Sequence, residues 1–336
     1  MPSLVLVNLI APRAGTPVMP SDALDRLRSA GWTIIDRPLE RGVASGDLPA
    51  WIGPDASAVL SSWGTPTFTP AVHEALPGLR FIGYCAGSVK RVVTPDTFAR
   101  GVGVSSAAPV IANAVGEYCL SVALWVLRDL GTMSDALAGR AGDPRWVRPP
   151  QARSLWGRSV GIVSASSTAR RFIDLLRPFG GDIAVYDPYL SEADASAMGV
   201  RCAALDEVCA QSVVSVHAPD LAATRGMIGR SQLARIPDGG LFINSSRASA
   251  IDYDALLAEL RSGRIRAVLD VFPKEPLPAD SPFHGLPGVL LTPHTAGFSL
   301  DVYLQMGREI VADLLRWQAG EPLRLGVDAR RWELLA

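Results

Sequence analysis

The chain has 336 residues, of which 48% are hydrophobic and 19% charged, so it is long enough for two domains with buried cores. Its formal net charge of −1 gives no field that would attract nucleic acid or an anionic membrane, and the sequence contains no basic tract. We therefore expect neither partner, and the composition is ordinary for a soluble globular protein.

The first hundred residues alternate apolar runs with helical periodicity. The run "SLVLVNLIAP" is too short to span a membrane and lacks the features of a signal peptide, so it predicts a first strand. The runs "WTIID", "AVLSSW" and "LRFIGYCAG" predict further strands, and the leucines of "SDALDRLRSAG" recur at helical spacing. These patterns predict a first α/β unit.

The four cysteines bear on the compartment. Cys85, Cys119, Cys202 and Cys209 show no C-x-x-C pairing and are too few for a disulfide scaffold. We therefore expect a reducing cytoplasm as the location and buried packing as the role of these residues. The sequence gives no reason to expect a metal site.

A second series of elements follows a long apolar helix predicted over about 109–130 and the Gly/Pro-rich linker "AGRAGDPRWVRPPQARSLWGRS". From residue 159 onward, "VGIV", "IAVYD", "SVVSVHA", "GGLFINSS", "RAVLDVF" and "GVLLTPH" predict strands, most of them separated by helical segments. Nearly continuous apolar strands between helices are typical of a parallel sheet that is covered on both faces.

The stretch "GIVSASSTARRF" has the setting of a dinucleotide-binding turn without its glycines. A strand enters it, an amphipathic helix leaves it, and Asp187 follows about twenty residues on. The three positions of G-x-G-x-x-G hold Ser164, Ser166 and Ala169. A Cβ at Ser164 costs about 1–3 kcal/mol if the turn requires a positive φ there, so dinucleotide binding is expected to be weakened or lost.

Several ordered motifs resemble the D-isomer-specific 2-hydroxyacid dehydrogenases: "LWGRSVGIV", "YDPY", "GGLFINSSRASAIDYDALLAEL", "LDVFPKEPLP" and "LLTPHTAGF". The resemblance implies an α/β fold with two Rossmann-like, doubly wound domains. It also implies that an NAD-binding domain, residues 105–297, is inserted into a discontinuous flavodoxin-like substrate domain, residues 1–104 and 298–336.

The resemblance implies three catalytic residues. In "INSSR", Arg247 matches the arginine that binds the substrate carboxylate, which suits a guanidinium fork. In "PHTAG", His294 matches the acid–base residue that protonates the carbonyl oxygen. In "DVFPKEP", Glu275 matches the carboxylate that orients the imidazole and favours its charged form.

The resemblance also implies a set of cofactor-binding residues: Ser166, Ser167, Thr168, Asp187, His217, Ser245, Ser246 and Asp270. The helix N-terminus after the turn offers backbone amides and hydroxyls to a pyrophosphate. Asp187 matches the residue that accepts hydrogen bonds from the ribose hydroxyls and repels a 2′-phosphate, so NAD is favoured over NADP.

The substrate-binding positions implied by the resemblance are Gly87 and Ser88, together with Arg247. The loop "CAGSVKRVV" departs from the family pattern, because Lys90 and Arg91 replace acidic and amide residues. These two side chains either suit a second anionic group on the substrate or are simply solvated.

Two functions remain open from the sequence. The first is the reduction of a 2-keto acid to a D-2-hydroxy acid with NADH by a homodimer joined through its cofactor domains. The second is a diverged relative with lost or weak NAD binding that acts as a small-molecule-binding or interaction protein, or in acid–base chemistry without a hydride. His73 and His284 lie outside the motifs and are expected at the surface.

Overall fold

The computed structural model describes residues 4–13, 15–140 and 151–335. They form two compact units: Met1–Ile111 with Phe298–Ala336, and Ala112–Gly297. Each unit has a parallel sheet with helices, which confirms the predicted α/β class with two Rossmann-like units. The predicted domain junction at 104/105 falls inside the last strand of the first sheet, and the domain bounds stay a prediction.

The strands and helices of the described residues are numbered here in chain order. The strands are β1 (Val5–Asn8), β2 (Thr33–Asp36), β3 (Ala58–Ser61), β4 (Phe81–Tyr84), β5 (Gly103–Ser106), β6 (Val160–Val163), β7 (Ile183–Tyr186), β8 (Arg201–Cys202), β9 (Val213–Val216), β10 (Leu241–Asn244), β11 (Arg266–Leu269) and β12 (Val289–Leu291). The α-helices are α1 (Ser21–Ser29), α2 (Leu48–Ile52), α3 (Pro70–Ala75), α4 (Pro95–Ala99), α5 (Ala108–Leu127), α6 (Leu130–Leu137), α7 (Ser167–Leu176), α8 (Glu192–Ala197), α9 (Leu205–Cys209), α10 (Arg230–Arg235), α11 (Tyr253–Arg261), α12 (Leu300–Gln318) and α13 (Ala329–Glu333).

The first unit is built on a five-stranded sheet of order β2-β1-β3-β4-β5 in which every pair is parallel. Successive residues of a strand point to opposite faces, and both faces carry apolar cores. Val7 and Ile82 belong to one core, whereas Leu6 and Phe81 pack in the other with α12. The four predicted strands are confirmed; β5 was not predicted, because its sequence, "GVSS", has only one apolar side chain.

The second unit is built on a seven-stranded sheet of order β12-β11-β10-β9-β6-β7-β8, also entirely parallel. All six strands predicted for this unit are confirmed. Strand β8 was not predicted, because two residues are too few to show a period. In β6, Gly161 allows α9 to pack closely, since a Cβ there would lie 2.0 Å from the carbonyl oxygen of Val208.

The predicted long helix is α5, which ends earlier than expected; after a break at Asp129, where φ is +54°, α6 follows. Helix α5 is long and apolar enough to cross a membrane, but 56% of its most apolar stretch is buried inside the protein. Residues 141–150 of the predicted linker lie outside the described residues.

The prediction that His73 lies at the surface is wrong. His73 is buried, and its Nε2 is hydrogen-bonded to the hydroxyl of Thr97 at 2.8 Å. It sits on the short helix α3, whose inner face packs on the core, and the six-residue span is too short for its periodicity to show this. His284 is exposed, as expected. All four cysteines are free, and three of them are buried.

Candidate functional site

The predicted site residues of the second unit follow the carboxyl ends of its strands. In a parallel sheet these ends share one edge, where ligands of doubly wound folds bind. Neighbouring strands β10, β11 and β12 lead into the segments that carry Arg247, Glu275 and His294. The turn at Ser164 follows β6, and Asp187 follows β7.

His294 and Glu275 form the central pair of this edge. The Nδ1 of His294 lies 2.7 Å from Oε2 of Glu275, and Oε1 of Glu275 accepts a hydrogen bond from the backbone N–H of Phe272 at 3.0 Å. The side chain of His294 is 51% exposed and that of Glu275 is 33% exposed. The carboxylate therefore fixes Nδ1 as the inner nitrogen and leaves Nε2 on the opposite side of the ring.

The loop that carries His294 is held by a buried carboxylate. Asp270 accepts hydrogen bonds from the Thr292 hydroxyl at 2.5 Å and from the N–H groups of Thr295 and Ala296 at 2.8 and 2.9 Å. Its carbonyl accepts the N–H of His294, whose φ is +53°. Burial raises the pKa of Asp270, and the hydrogen bonds act in the opposite direction. This carboxylate shapes the backbone beneath the imidazole.

The same network contains two residues that the sequence analysis did not single out. Tyr118 of α5 is hydrogen-bonded to Thr292 at 2.6 Å, and Thr292 in turn donates to Asp270. Burial raises the pKa of Tyr118, so it is a neutral donor near pH 7. The available signals were the position of Thr292 directly before the "PHTAG" motif and a lone tyrosine in an apolar helix.

Arg247 lies on a short loop that a buried amide holds in shape. The side chain of Asn244 donates to the carbonyl of Arg247 at 3.2 Å and accepts from the N–H and hydroxyl of Ser246 at 3.1 and 3.0 Å. The guanidinium of Arg247 donates to the carbonyl of Ser246 at 2.7 Å. The hydroxyl of Ser245 meets the thiol of Cys119 at 3.2 Å, and burial raises the pKa of that thiol to about 12.

The turn without glycines keeps the backbone path of a glycine. Ser164 has a φ of +73°, the positive φ at which a Cβ is expected to be strained in this turn. Its hydroxyl donates to Oδ2 of Asp187 at 3.2 Å, and the N–H of Ala165 donates to the same oxygen at 2.7 Å. The other oxygen of Asp187 accepts from the N–H of Tyr189 at 2.8 Å. Asp187 thus supports the turn that precedes helix α7.

The start of α7 carries a chain of hydroxyls. Ser166 caps the helix by accepting the N–H of Ala169 at 3.5 Å, and its hydroxyl contacts that of Thr168 at 3.0 Å. The hydroxyl of Thr168 is hydrogen-bonded to Nδ1 of His217 at 3.2 Å, and Nε2 of His217 is hydrogen-bonded to the hydroxyl of Ser215 at 2.9 Å. Ser167 is exposed at the first helical position. The N-terminus of this ten-residue helix offers the donors that an anion requires.

The predicted substrate loop belongs to the first unit. The carbonyl of Gly87 accepts the hydroxyl of Ser106 at 2.6 Å, and the hydroxyl of Ser88 accepts the N–H of Lys90 at 3.1 Å. The ammonium of Lys90 donates to the carbonyl of Trp332 at 2.9 Å and lies 3.9 Å from the centre of its ring. The ammonium of Lys90 is therefore engaged by the C-terminal segment of the same unit, whereas Arg91 is exposed.

No group of three or more histidine, cysteine, aspartate or glutamate side chains is placed to hold a metal ion within residues 4–13, 15–140 and 151–335.

The strain at Ser164 predicts an unusual order of stabilities. Ser164→Ala and Ser164→Gly both lose the hydroxyl, but only alanine keeps a Cβ at positive φ. We expect the glycine variant to be more stable than the alanine variant by about 1–3 kcal/mol in the free energy of unfolding by urea. The control variants are Ser167→Ala and Ser167→Gly, in the first turn of α7. There the alanine variant should be the more stable, by about 0.5–1 kcal/mol in the free energy of unfolding. An alanine variant at 164 as stable as the glycine variant would contradict the strain.

Burial of His217 predicts a pH dependence of stability. Burial lowers its pKa from 6.5 to about 3, so between these values the unfolded chain binds a proton that the folded chain does not. Its contribution to stability is present above pH 6.5 and is lost, at about 1.4 kcal/mol per pH unit, as the pH falls toward 3. His217→Gln should remove this slope in urea unfolding between pH 6 and 4. His284→Gln, an exposed control, should keep it, and an unchanged slope in His217→Gln would contradict a neutral His217.

The comparisons with known proteins identify the family of the chain. Residues 120–296, more than half of the chain, match the family model "D-isomer specific 2-hydroxyacid dehydrogenase, NAD binding domain". The chain is 29% identical over 280 residues to a D-3-phosphoglycerate dehydrogenase of Mycobacterium leprae, covering 82% of this chain and 52% of that protein. It is 27% identical over 280 residues to a glyoxylate reductase of Korarchaeum cryptofilum, covering 80% and 81%.

Among solved structures, a phosphoglycerate oxidoreductase from Rhizobium etli superposes with a TM-score of 0.81 at 26% identity, covering 97% of this chain and 98% of that one. The chain spans about half the length of the phosphoglycerate dehydrogenases it matches. The family match, the two parallel sheets and the His294–Glu275 pair lead to one conclusion: the chain belongs to the D-isomer-specific 2-hydroxyacid dehydrogenase family.

Proposed function

We propose that the protein is an NAD-dependent oxidoreductase that reduces a 2-keto acid to a D-2-hydroxy acid. The observation that carries this proposal is the contact of 2.7 Å between His294 Nδ1 and Glu275 Oε2, at the sheet edge that also holds the Arg247 loop. The names of two relatives support the substrate class. One is named for 3-phosphoglycerate, a 2-hydroxy acid that carries a phosphate, and the other for glyoxylate, the smallest 2-keto acid.

The residues after β6 and β7 suit NAD. Ser164 adopts the positive φ of the glycine it replaces, and the first turn of α7 presents the N–H groups of Ser167 and Thr168 for a pyrophosphate. Ser166 and Thr168 add hydroxyls there, and the carboxylate of Asp187 suits ribose hydroxyls and repels a 2′-phosphate. His217, Ser245, Ser246 and Asp270 complete the proposed cofactor set. This fit favours the oxidoreductase over a relative that has lost the cofactor.

The proton comes from the imidazole. Because the Glu275 carboxylate accepts a hydrogen bond from Nδ1–H, the proton to be transferred resides on Nε2 of His294. That proton moves to the carbonyl oxygen of the keto acid, and the carboxylate stabilises the charged ring before transfer. The guanidinium of Arg247 binds the substrate carboxylate through paired N–H groups. Bound NADH supplies the hydride for the carbonyl carbon.

We further propose a cytoplasmic homodimer. Large apolar side chains of the second unit are exposed, among them Trp125 by 44%, Leu137 by 74% and Trp156 by 73%. Exposed apolar groups of this size are enriched where protein surfaces associate, and they support an interface that the second unit provides.

Replacing the proton donor should stop turnover and spare cofactor binding. We expect His294→Gln to lower kcat for glyoxylate or pyruvate reduction by about 10²–10⁴-fold, because glutamine cannot transfer a proton. Titration with NADH, followed by fluorescence transfer from tryptophan, should give an unchanged Kd. Arg247→Lys keeps the charge and loses the fork, so KM should rise at similar NADH affinity. Full activity of His294→Gln would contradict the assignment.

The cofactor preference is tested through Asp187. We expect wild-type protein to bind NADH at least about tenfold more tightly than NADPH, which corresponds to about 1.4 kcal/mol of repulsion. Asp187→Asn removes the charge and should lower the ratio of the Kd for NADPH to the Kd for NADH, mainly because NADPH binds more tightly. Asp182→Asn, an exposed control that precedes the same strand, should leave the ratio unchanged. Absence of NADH binding by the wild type would refute the proposed function.

A further inference from the structure

A tyrosine of the apolar helix α5 begins a chain of hydrogen bonds that leads to the loop of His294. The hydroxyl of Thr292 donates its one proton to Oδ1 of Asp270 at 2.5 Å, so it has none left for a second acceptor. The hydroxyl of Tyr118 lies 2.6 Å from the same threonine oxygen and is therefore the donor in that contact. The chain runs in one direction, from the tyrosine through the threonine to the carboxylate, and lies within the unit Ala112–Gly297.

The carboxylate of Asp270 depends on the hydroxyl at the middle of this chain. Asp270 is fully buried, and burial raises its pKa. Among the groups that act against this rise, the hydrogen bond from Thr292 has the largest effect. A hydroxyl that accepts one hydrogen bond donates a stronger one in turn. The hydroxyl of Tyr118 therefore strengthens the contact that favours a charged Asp270.

Helix α5 is a firm base for such a donor, because it is fixed at two other points of the same unit. Gly116 lies so close to α7 that a Cβ there would be 2.6 Å from Cγ of Arg171. Near the end of α5, the carbonyl of Val126 accepts a hydrogen bond from the guanidinium of Arg266 in β11 at 2.7 Å. A side chain on a helix held in this way is placed more precisely than one on a loop.

We propose that Tyr118 is a positioning residue for the proton donor. Its hydroxyl fixes the hydroxyl of Thr292 on Asp270, and Asp270 holds the backbone of His294 and of the two residues after it. The imidazole is thereby kept at the place where Glu275 meets its Nδ1. The part that this plays in catalysis rests on the proposed reduction of a 2-keto acid.

Tyr118→Phe removes the hydroxyl and keeps the ring. We expect it to lower kcat by about 3–10-fold for glyoxylate or pyruvate with NADH, because one hydrogen bond that holds the proton donor is lost. The KM for the keto acid and the Kd for NADH should stay within about twofold of the wild type, since Arg247 lies on another loop. A rise in KM without a fall in kcat would overturn the inference.

A double-mutant cycle tests whether Tyr118 acts through Thr292. Thr292→Val removes the middle hydroxyl and should lower kcat at least as much as Tyr118→Phe does. Adding Tyr118→Phe to Thr292→Val should then cost less than about a further twofold, whereas a tyrosine that only supports the fold would give independent losses that multiply. Thr292→Ser keeps the hydroxyl and should restore both kcat and the sensitivity to Tyr118→Phe. Independent losses would overturn the inference.

Ser121→Ala is the matched control on the same helix. The hydroxyl of Ser121 is exposed and donates to the backbone carbonyl of Tyr118 at 2.8 Å, within α5. Its removal should leave kcat and KM unchanged. A loss equal to that of Tyr118→Phe would attribute the effect to the helix rather than to the phenol, and would overturn the inference.

Nuclear magnetic resonance of the imidazoles gives a readout that does not require turnover. The chain has four histidines, so labelling their Cε1 atoms with carbon-13 gives four signals, and His294→Gln identifies the one that belongs to His294. In Tyr118→Phe we expect this signal to move or to split, because the ring is no longer held in one place. The signal of the exposed His284 should stay where it is.

The two readouts separate the inference from the proposed function. If the wild type reduces no keto acid but the His294 signal changes in Tyr118→Phe and not in Ser121→Ala, the positioning by Tyr118 stands while the proposed reduction falls. If the wild type reduces glyoxylate or pyruvate and Tyr118→Phe changes neither kcat nor the His294 signal, the proposed reduction stands and the inference falls.

Discussion

The geometry of the candidate site depends on the buried carboxylate of Asp270. It gathers a threonine hydroxyl and two backbone N–H groups from the loop after β12, and its own carbonyl accepts the N–H of His294. Left-handed backbone is unfavourable for a histidine, and a loop so constrained can hold the residue there. These hydrogen-bond donors offset the free-energy cost of burying the carboxylate. The loop that they hold directs the imidazole of His294 at Glu275.

A second carboxylate performs a related task at the turn. In glycine-rich turns the absence of a Cβ makes positive φ inexpensive, and the residue after the next strand is free to meet the ribose. Here Ser164 adopts the strained positive φ and donates a hydrogen bond from its hydroxyl to Asp187. The same carboxylate accepts a hydrogen bond from the N–H of Ala165. A carboxylate has about four acceptor positions, so Asp187 supports its own turn and keeps capacity for hydroxyl groups of a ligand.

The sequence predicted most of the fold because most strands lie in apolar runs of the sequence and the motifs lie at their ends. Ten of the twelve strands in the described part of the chain were found in this way, whereas β5 and β8 carry too few apolar residues to show a period. The pair of His294 and Glu275 could be predicted because their motifs resemble those of the family. The contact of Tyr118 with Thr292 could not, because it joins residues 174 positions apart that no local pattern relates. The hydrogen bond of Lys90 could not be predicted either, because it joins this side chain to a C-terminal helix far along the chain.

The environments of the two histidines at the edge of the second sheet decide which of them can exchange a proton. His217 is buried between hydroxyls of Thr168 and Ser215, and burial lowers its pKa to about 3, so it stays neutral across the physiological range. His294 is half exposed and has a carboxylate on Nδ1. A general acid must reach its ligand, and of these two rings only that of His294 is open to solvent and has a carboxylate partner, which supports the role proposed for it. His217 instead links the start of α7 to the interior of the sheet through its hydrogen bonds to Thr168 and Ser215.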